Sequence, residues 1–338
     1  MKAVGLYQYL PITHAEALLD IDIAKPEPGP FDLLVQVVAV SVNPVDVKVR
    51  TPKTKIESVP RILGWDAAGI VETVGSKVSL FKPGDRVYYA GDITRAGSNA
   101  EYQLVDERIV GKAPANLDLV QAAALPLTGI TAYEALFERL GISSDGGHAG
   151  KSLLVIGGAG GVGSIAIQLA KKIAKLNVIA TASRPESQAW VKKLGADHVI
   201  NHFDDLSEQL AAFGVPEVDA ILVLNDTDRY FPQLAKLIAP QGKIVSIVET
   251  SMQHNLDTLK SKSATFAWEF MFTRSMYRTP DMVAQHHMLN AIADAIDAGT
   301  IKTTMGQHLG TINATNLKRA HAALEQGHVV GKIVLSGF

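Results

Sequence analysis

The rhythm of hydrophobic positions changes near residue 123. Before it, short apolar runs at 33–40, 68–74, 86–90 and 100–105 are separated by Gly, Pro and Asn, which predicts a mostly β region over residues 1–122. Pro26-Glu-Pro-Gly-Pro30 and Phe81-Lys-Pro-Gly-Asp85 read as turns, the second setting up the strand that begins at Arg86. After it, candidate strands at 153–156, 177–181, 198–200, 220–224 and 243–248 alternate with candidate helices at 162–175, 185–194, 204–213 and 230–239. Strands interleaved with helices of that length predict a parallel sheet covered on both faces. Residues 264–272 offer a sixth strand, 280–299 a helix, and 332–336 a last strand that returns to the N-terminal region. The expected organisation is a β-rich domain of residues 1–122 and 300–338 and an α/β domain of residues 123–299.

Composition narrows this picture little, with one exception. A chain of 338 residues, 47% hydrophobic and 20% charged, suits about two globular domains with sizeable cores. A net charge of −2 gives no reason to expect nucleic acid or an acidic membrane as partner. No apolar run approaches the ~20 residues that span a bilayer, and no secretory signal opens the chain, so a cytoplasmic location is expected. The exception is cysteine, of which there is none. That removes disulfides, thiol catalysis and every thiolate-based zinc site, leaving only His, Asp or Glu for a metal. The adjacent His286-His287 are not spaced to share an ion on one helical face, and no metal site is assigned.

The strongest chemical signal is Lys151-Ser-Leu-Leu-Val-Ile-Gly-Gly-Ala-Gly-Gly-Val-Gly163. An apolar strand runs into a glycine turn and then into a helix with Val162, Ile165, Ala166 and Leu169 at helical spacing. Gly158-x-Gly160-x-x-Gly163 fits the dinucleotide fingerprint, with Gly161 and Val162 opening the helix over which the phosphates would sit. The second strand ends Val178-Ile-Ala-Thr-Ala-Ser-Arg184, without the acidic residue that usually binds the ribose of NAD. Ser183 and Arg184 instead suit a 2′-phosphate, so NADPH is the expected cofactor. Ser246 and Val248, ending the fifth strand, stand where nicotinamide contacts are expected.

Five segments then occur in a telling order: Ser41-Val-Asn-Pro-Val-Asp46, Gly64-Trp-Asp-Ala-Ala-Gly69, Lys82-Pro-Gly-Asp-Arg-Val87, Pro126-Leu-Thr-Gly-Ile-Thr-Ala132 and the glycine turn. Together they resemble the medium-chain dehydrogenase/reductase superfamily, and more narrowly its zinc-independent quinone oxidoreductase branch, over nearly the whole chain. The resemblance implies a GroES-like catalytic domain joined to a Rossmann domain with a doubly wound parallel sheet. It also implies a homodimer. In zinc-dependent relatives a Cys ligand stands at the position of Asn43, a His ligand at Trp65 and an acidic residue at Asp66. A further Cys before the Thr128-Gly129 pair and a Cys-rich loop at 91–102 are also absent here. An indole cannot ligate zinc and an amide is a poor substitute for thiolate.

What the resemblance implies for individual residues follows from that departure. Asn43 would stand beside the nicotinamide and hydrogen-bond substrate or cofactor, with Asp46 supporting its strand. Trp65 would form an apolar wall where a metal would have been. Thr128 would contact the nicotinamide-side phosphate or ribose, or else cap a helix. Tyr133 would lie near the pocket as a proton donor, or else be core. A protonated His202 would favour the 2′-phosphate, or else be a loop residue with no role, and Lys332 would lie close to the cofactor, or else be a surface residue opening the last strand. Trp268-Glu-Phe-Met-Phe-Thr-Arg274 reads first as buried strand, with a lining of the substrate cleft or a dimer edge as the alternatives. Without a Lewis acid, an already electrophilic acceptor is the easier substrate. The expected activity is NADPH-dependent reduction of a quinone or α,β-unsaturated carbonyl. A zinc-dependent alcohol dehydrogenase with atypical ligands and a non-catalytic NADPH-binding redox sensor are the alternatives.

Overall fold

A computed structural model describes all 338 residues. It divides into two compact units: Met1–Ile130 with Phe272–Phe338, and Thr131–Met271. The helix Ala284–Asp297 was expected in the α/β domain, which was drawn to residue 299. It belongs instead to the first unit, where the Tyr88 hydroxyl donates to the Leu289 carbonyl at 2.5 Å and the His286 ring bonds the Val110 carbonyl at 2.7 Å. Its amphipathic pattern could not say which sheet it would cover.

The first unit holds a small antiparallel sheet and a larger, mostly antiparallel one. A small sheet places Lys2–Tyr9 between Leu19–Asp22 and Lys53–Ile62. The larger sheet is built around Asp32–Ser41, which pairs with Ala67–Val74, Tyr102–Asp106 and the last strand, Lys332–Ser336. The predicted return of the tail is therefore observed as antiparallel pairing of Val334 with Ser41. The strand Asp32–Ser41 runs straight into the helix Pro44–Arg50, whose proline occupies the first turn, where a missing N–H costs nothing.

The second unit is a six-stranded parallel sheet. Numbered in chain order, its strands are Ser152–Ile156, Asn177–Thr181, His198–Ile200, Val218–Val223, Ile238–Ser246 and Thr265–Trp268, and they lie side by side as 3-2-1-4-5-6. Every residue of the first strand is buried, as a strand covered on both faces requires. On one face Leu154, Ile156, Ile221, Val223 and Ile244 pack with Leu206, Tyr230, Phe231 and Leu234 of the covering helices. The run at 264–272 is not one buried strand: it leaves the sheet after Trp268, and Trp268 and Phe270 are exposed while Glu269, Met271 and Phe272 are buried. No helix is long and apolar enough to cross a membrane.

Candidate functional site

In the parallel-sheet unit, the strand order reverses direction between the first and fourth strands, which is where such sheets bind ligands. The glycine turn lies at that point, with Leu224 and Asn225 of the fourth strand's end beside Gly157. Each glycine of the fingerprint has its own physical reason. A Cβ on Gly163 would come within 2.5 Å of both the Gly157 and Gly158 carbonyl oxygens, so only glycine lets this helix sit against the turn. One on Gly158 would lie 2.9 Å from Ala180 Cβ in the second strand. One on Gly160 meets nothing nearer than 3.6 Å, leaving that side of the turn open to an approaching group. Gly160 is the N-cap of the helix Gly161–Gln168, so the N–H groups of Gly161 and Val162 head the helix without intrahelical acceptors. The arrangement fits a dinucleotide pyrophosphate.

The second strand is tied to this turn, since Gly157 donates to Thr181 Oγ1 at 3.0 Å and Gly158 to the Thr181 carbonyl at 3.2 Å. Ser183 and Arg184 follow directly, half-buried, and lead into the helix Pro185–Leu194. Arg184 Nη1 is 3.3 Å from Glu186 Oε1, an exposed pair of the kind that contributes little and releases easily. The third strand pairs in parallel with the second and delivers Asn201 and His202 to the same edge. His202 is not the cation expected there: burial, then the Arg229 guanidinium, pushes its imidazole below the ordinary value, so it is neutral near pH 7. Arg229 itself donates to the His202 carbonyl at 3.0 Å, and nothing in the sequence pattern had singled it out. Ser246 is fully buried, its hydroxyl 2.5 Å from Thr227 Oγ1, and it clasps the ends of the fourth and fifth strands. The Val248 carbonyl accepts from the same Thr227 hydroxyl.

Tyr133 is half-buried, set edge-on to Phe137 with centroids 4.6 Å apart. Burial, aided by Glu138, raises its hydroxyl above the usual phenol value, so it stays protonated and able to donate. The next residue belongs to a group that sequence reasoning missed. Glu134 and Glu269 are both buried, Arg139 Nε donates to Glu269 Oε2 at 2.9 Å, and its Nη2 is 3.9 Å from Glu134 Oε2. Burial, then the neighbouring Glu134 carboxyl, pushes Glu269 up to about 9. The Glu269 N–H donates to the Ser246 carbonyl, so this proton-holding pair is fixed to the end of the fifth strand.

In the β-rich unit, the residues expected near a reacting centre form one buried cluster. Asn43, Asp46, Trp65 and Asp66 are 0% exposed and Lys332 is 3% exposed. Asp46 Oδ2 reaches back to the Asn43 N–H at 2.6 Å, locking the start of the helix Pro44–Arg50. Burial lifts Asp46 to about 7 against the pull of that hydrogen bond and of Lys332. The Asn43 amide donates to the Trp65 carbonyl at 3.1 Å and to Asp66 Oδ2 at 2.8 Å, and accepts from Lys332. Both of its N–H groups are thus used inside the protein. Asp66 Oδ1 accepts from the Leu127 N–H at 2.7 Å, one residue into the helix Pro126–Tyr133. Burial raises Asp66, while Lys332, Leu127 and Asn43 pull it back down. Gly64 holds a positive φ of +111°, and a Cβ there would strike Ser98 Oγ at 2.6 Å; the Trp65-Asp66 turn therefore needs it. Trp65 packs edge-on to Phe272, centroids 6.3 Å apart, with its indole N–H 3.4 Å from the Asp92 carbonyl. Thr128 is buried, its hydroxyl 3.3 Å from the Leu125 carbonyl. The donor set does not fit zinc: it offers no thiolate and no imidazole, and an ammonium already stands among the oxygens.

A glycine turn at the switch point of a 3-2-1-4-5-6 parallel sheet defines a dinucleotide-binding α/β protein. Residues 29–115 match the alcohol dehydrogenase GroES-like domain family, and residues 194–335 the zinc-binding dehydrogenase family. Over 337 residues the chain is 45% identical to a zinc-type alcohol dehydrogenase-like protein of Staphylococcus aureus, covering 99% of this chain and 100% of that one. It is 32% identical to an NADPH-dependent alkenal/one oxidoreductase of Arabidopsis thaliana, covering 94% of this chain and 75% of that one. Among solved structures, a Rhizobium etli protein described as a zinc-dependent alcohol dehydrogenase is 50% identical with a TM-score of 0.95, covering 100% of this chain and 98% of that one. The quinone oxidoreductase of Escherichia coli, complexed with NADPH, is 26% identical with a TM-score of 0.83 and full coverage of both chains. This chain belongs to the medium-chain dehydrogenase/reductase superfamily of oxidoreductases.

Proposed function

We propose that the chain is an NADPH-dependent reductase that passes hydride to a quinone or an α,β-unsaturated carbonyl without zinc. The observation that carries this reading is the chemistry of the buried cluster around Asp66, where an amide, an indole, two carboxylates and an ammonium stand and no zinc donor set exists. Chain chemistry of this kind cannot activate an alcohol as a Lewis acid would, so the acceptor must bring its own electrophilicity. The named activities of the Arabidopsis and Escherichia coli proteins point the same way.

In this reading the N–H groups of Gly161 and Val162 hold the pyrophosphate, and Gly160 lets it approach. Arg184 leaves Glu186 to pair with the 2′-phosphate, with Ser183 donating beside it. The nicotinamide supplies the hydride. Tyr133, held protonated, donates to the charge that develops on the acceptor oxygen. Asn43 and Lys332 hold their loops rather than touch the acceptor, because their polar atoms are already engaged, and Asp46 holds the Asn43 N–H through Oδ2.

The test is NADPH oxidation followed at saturating cofactor with a panel of quinones and enones, before and after treatment with a chelator. Turnover that chelator leaves unchanged is the expected result. Turnover that requires added zinc, or tight NADPH binding with no turnover on any acceptor, overturns the proposal.

A further inference from the structure

Lys332 opens the last strand of the chain, yet its ammonium lies inside the β-rich unit. Its Nζ donates to the Val42 carbonyl at 2.8 Å, lies 3.0 Å from Asp66 Oδ2, and donates to Asn43 Oδ1. Three protons meet three acceptors, so the ammonium is fully coordinated. Asp66 is equally complete, because both of its oxygens accept hydrogen bonds, from Leu127 on one side and from Asn43 on the other. Hydrogen bonds donated to both oxygens favour the ionised carboxylate against the burial that raises it, and a buried carboxylate needs a counter-charge. Withdrawing two such charges from water is costly, and the pair persists only when every remaining hydrogen bond is made, as here.

The oxygens gathered around Nζ are a carboxylate, an amide and a backbone carbonyl. Those are the donors a hard cation would take. We propose that the Lys332 ammonium is the built-in cation of this cluster and closes it to divalent metal. Lys332 is then a positioning residue: it holds Asp66, and Asp66 in turn fixes the starts of the helices at Pro44 and Pro126. A second cation on the same oxygens would meet the ammonium at contact distance with little solvent to screen it. The inference rests on the metal-free reading above, but its test uses no turnover, so either can fail without the other.

The experiment compares wild type, Lys332→Met and the charge-neutral double variant Asp66→Asn/Lys332→Met. Each is incubated with zinc chloride and dialysed, and its metal content and melting temperature are measured. Wild type is expected to retain far less than one zinc per chain. Lys332→Met, which keeps the length of the side chain and loses the charge, is expected to melt about 5 °C or more below wild type. The double variant is expected to recover part of that loss, which a role in filling space alone would not allow. Where Lys332→Met fails to fold, soluble expression of the double variant is the same rescue read as yield. One zinc per wild-type chain, unchanged melting of Lys332→Met, or a double variant no more stable or soluble than the single overturns the proposal.

Discussion

At the glycine turn the chain has stripped side chains away until only backbone remains; at the Asp66 cluster it has packed charged side chains into the interior until Asp66, Asn43 and Lys332 satisfy one another. The turn leaves Gly160 open and the first N–H groups of a helix without internal acceptors. The cluster satisfies an ammonium, an amide and a carboxylate among themselves at 0–3% exposure. One arrangement is finished only by a ligand, the other is finished already. Polar residues in a family's reacting region therefore divide into those that wait for a partner and those that have one. Only the bonds tell them apart.

Four measurements sharpen or break that contrast. Asp66→Ala is expected to destabilise the protein most, by about 3–5 kcal/mol, because Lys332 is left as a buried unpaired charge; urea denaturation reads it, and a loss under 1 kcal/mol would mean the cluster is not closed. Gly163→Ala is expected to cost about 1–3 kcal/mol from the 2.5 Å approach to two carbonyls, whereas Gly160→Ala should fold as wild type and lose NADPH affinity. Equal stability losses at both positions would remove the distinction drawn at Gly160. Arg184→Glu is expected to weaken NADPH by about tenfold or more while barely changing NADH, consistent with losing a charge-assisted hydrogen bond; titration by nicotinamide fluorescence decides it. The smallest effect concerns Glu269, pushed up to about 9 by burial and Glu134. The native protein keeps a proton there that the unfolded chain releases above its lower carboxylate value. Stability from this group is thus complete at acid pH and lost as pH rises towards 9. Glu269→Gln should flatten the slope of unfolding free energy between pH 6 and 9, and an unchanged slope would show Glu269 ionised in the native state.

The parts of the fold legible from the sequence were those decided by near neighbours. The strands Asn177–Thr181 and His198–Ile200 and the helix Pro185–Leu194 stand where their patterns placed them, the helix started by Pro185 and stopped by Gly195 at φ +115°. The glycine turn is local in the same sense. Lys53–Ile62 was not foreseen as a strand because it lacks a buried face: Ile56 and Val59 are over 70% exposed. At the site, Asn43, Trp65 and Asp66 were recognisable as departures from a metal-binding pattern, but their engagement with Lys332 was not. That contact joins residues 289 positions apart, and no window of sequence contains both. His202 was illegible for a related reason, since burial, and then the Arg229 guanidinium delivered by a separate helix, disfavours its charged form.

The position of Lys332 also has a consequence for how the protein is made. The parallel-sheet unit is one continuous stretch, Thr131–Met271, and is complete in the nascent chain while more than sixty residues remain to be added. The β-rich unit is discontinuous, and the counter-charge for Asp66 follows it by 266 positions. During translation, then, the first half of that unit must wait with its carboxylate in water. The strand Lys332–Ser336, made long after Asp66, carries the ammonium that lets the interior close.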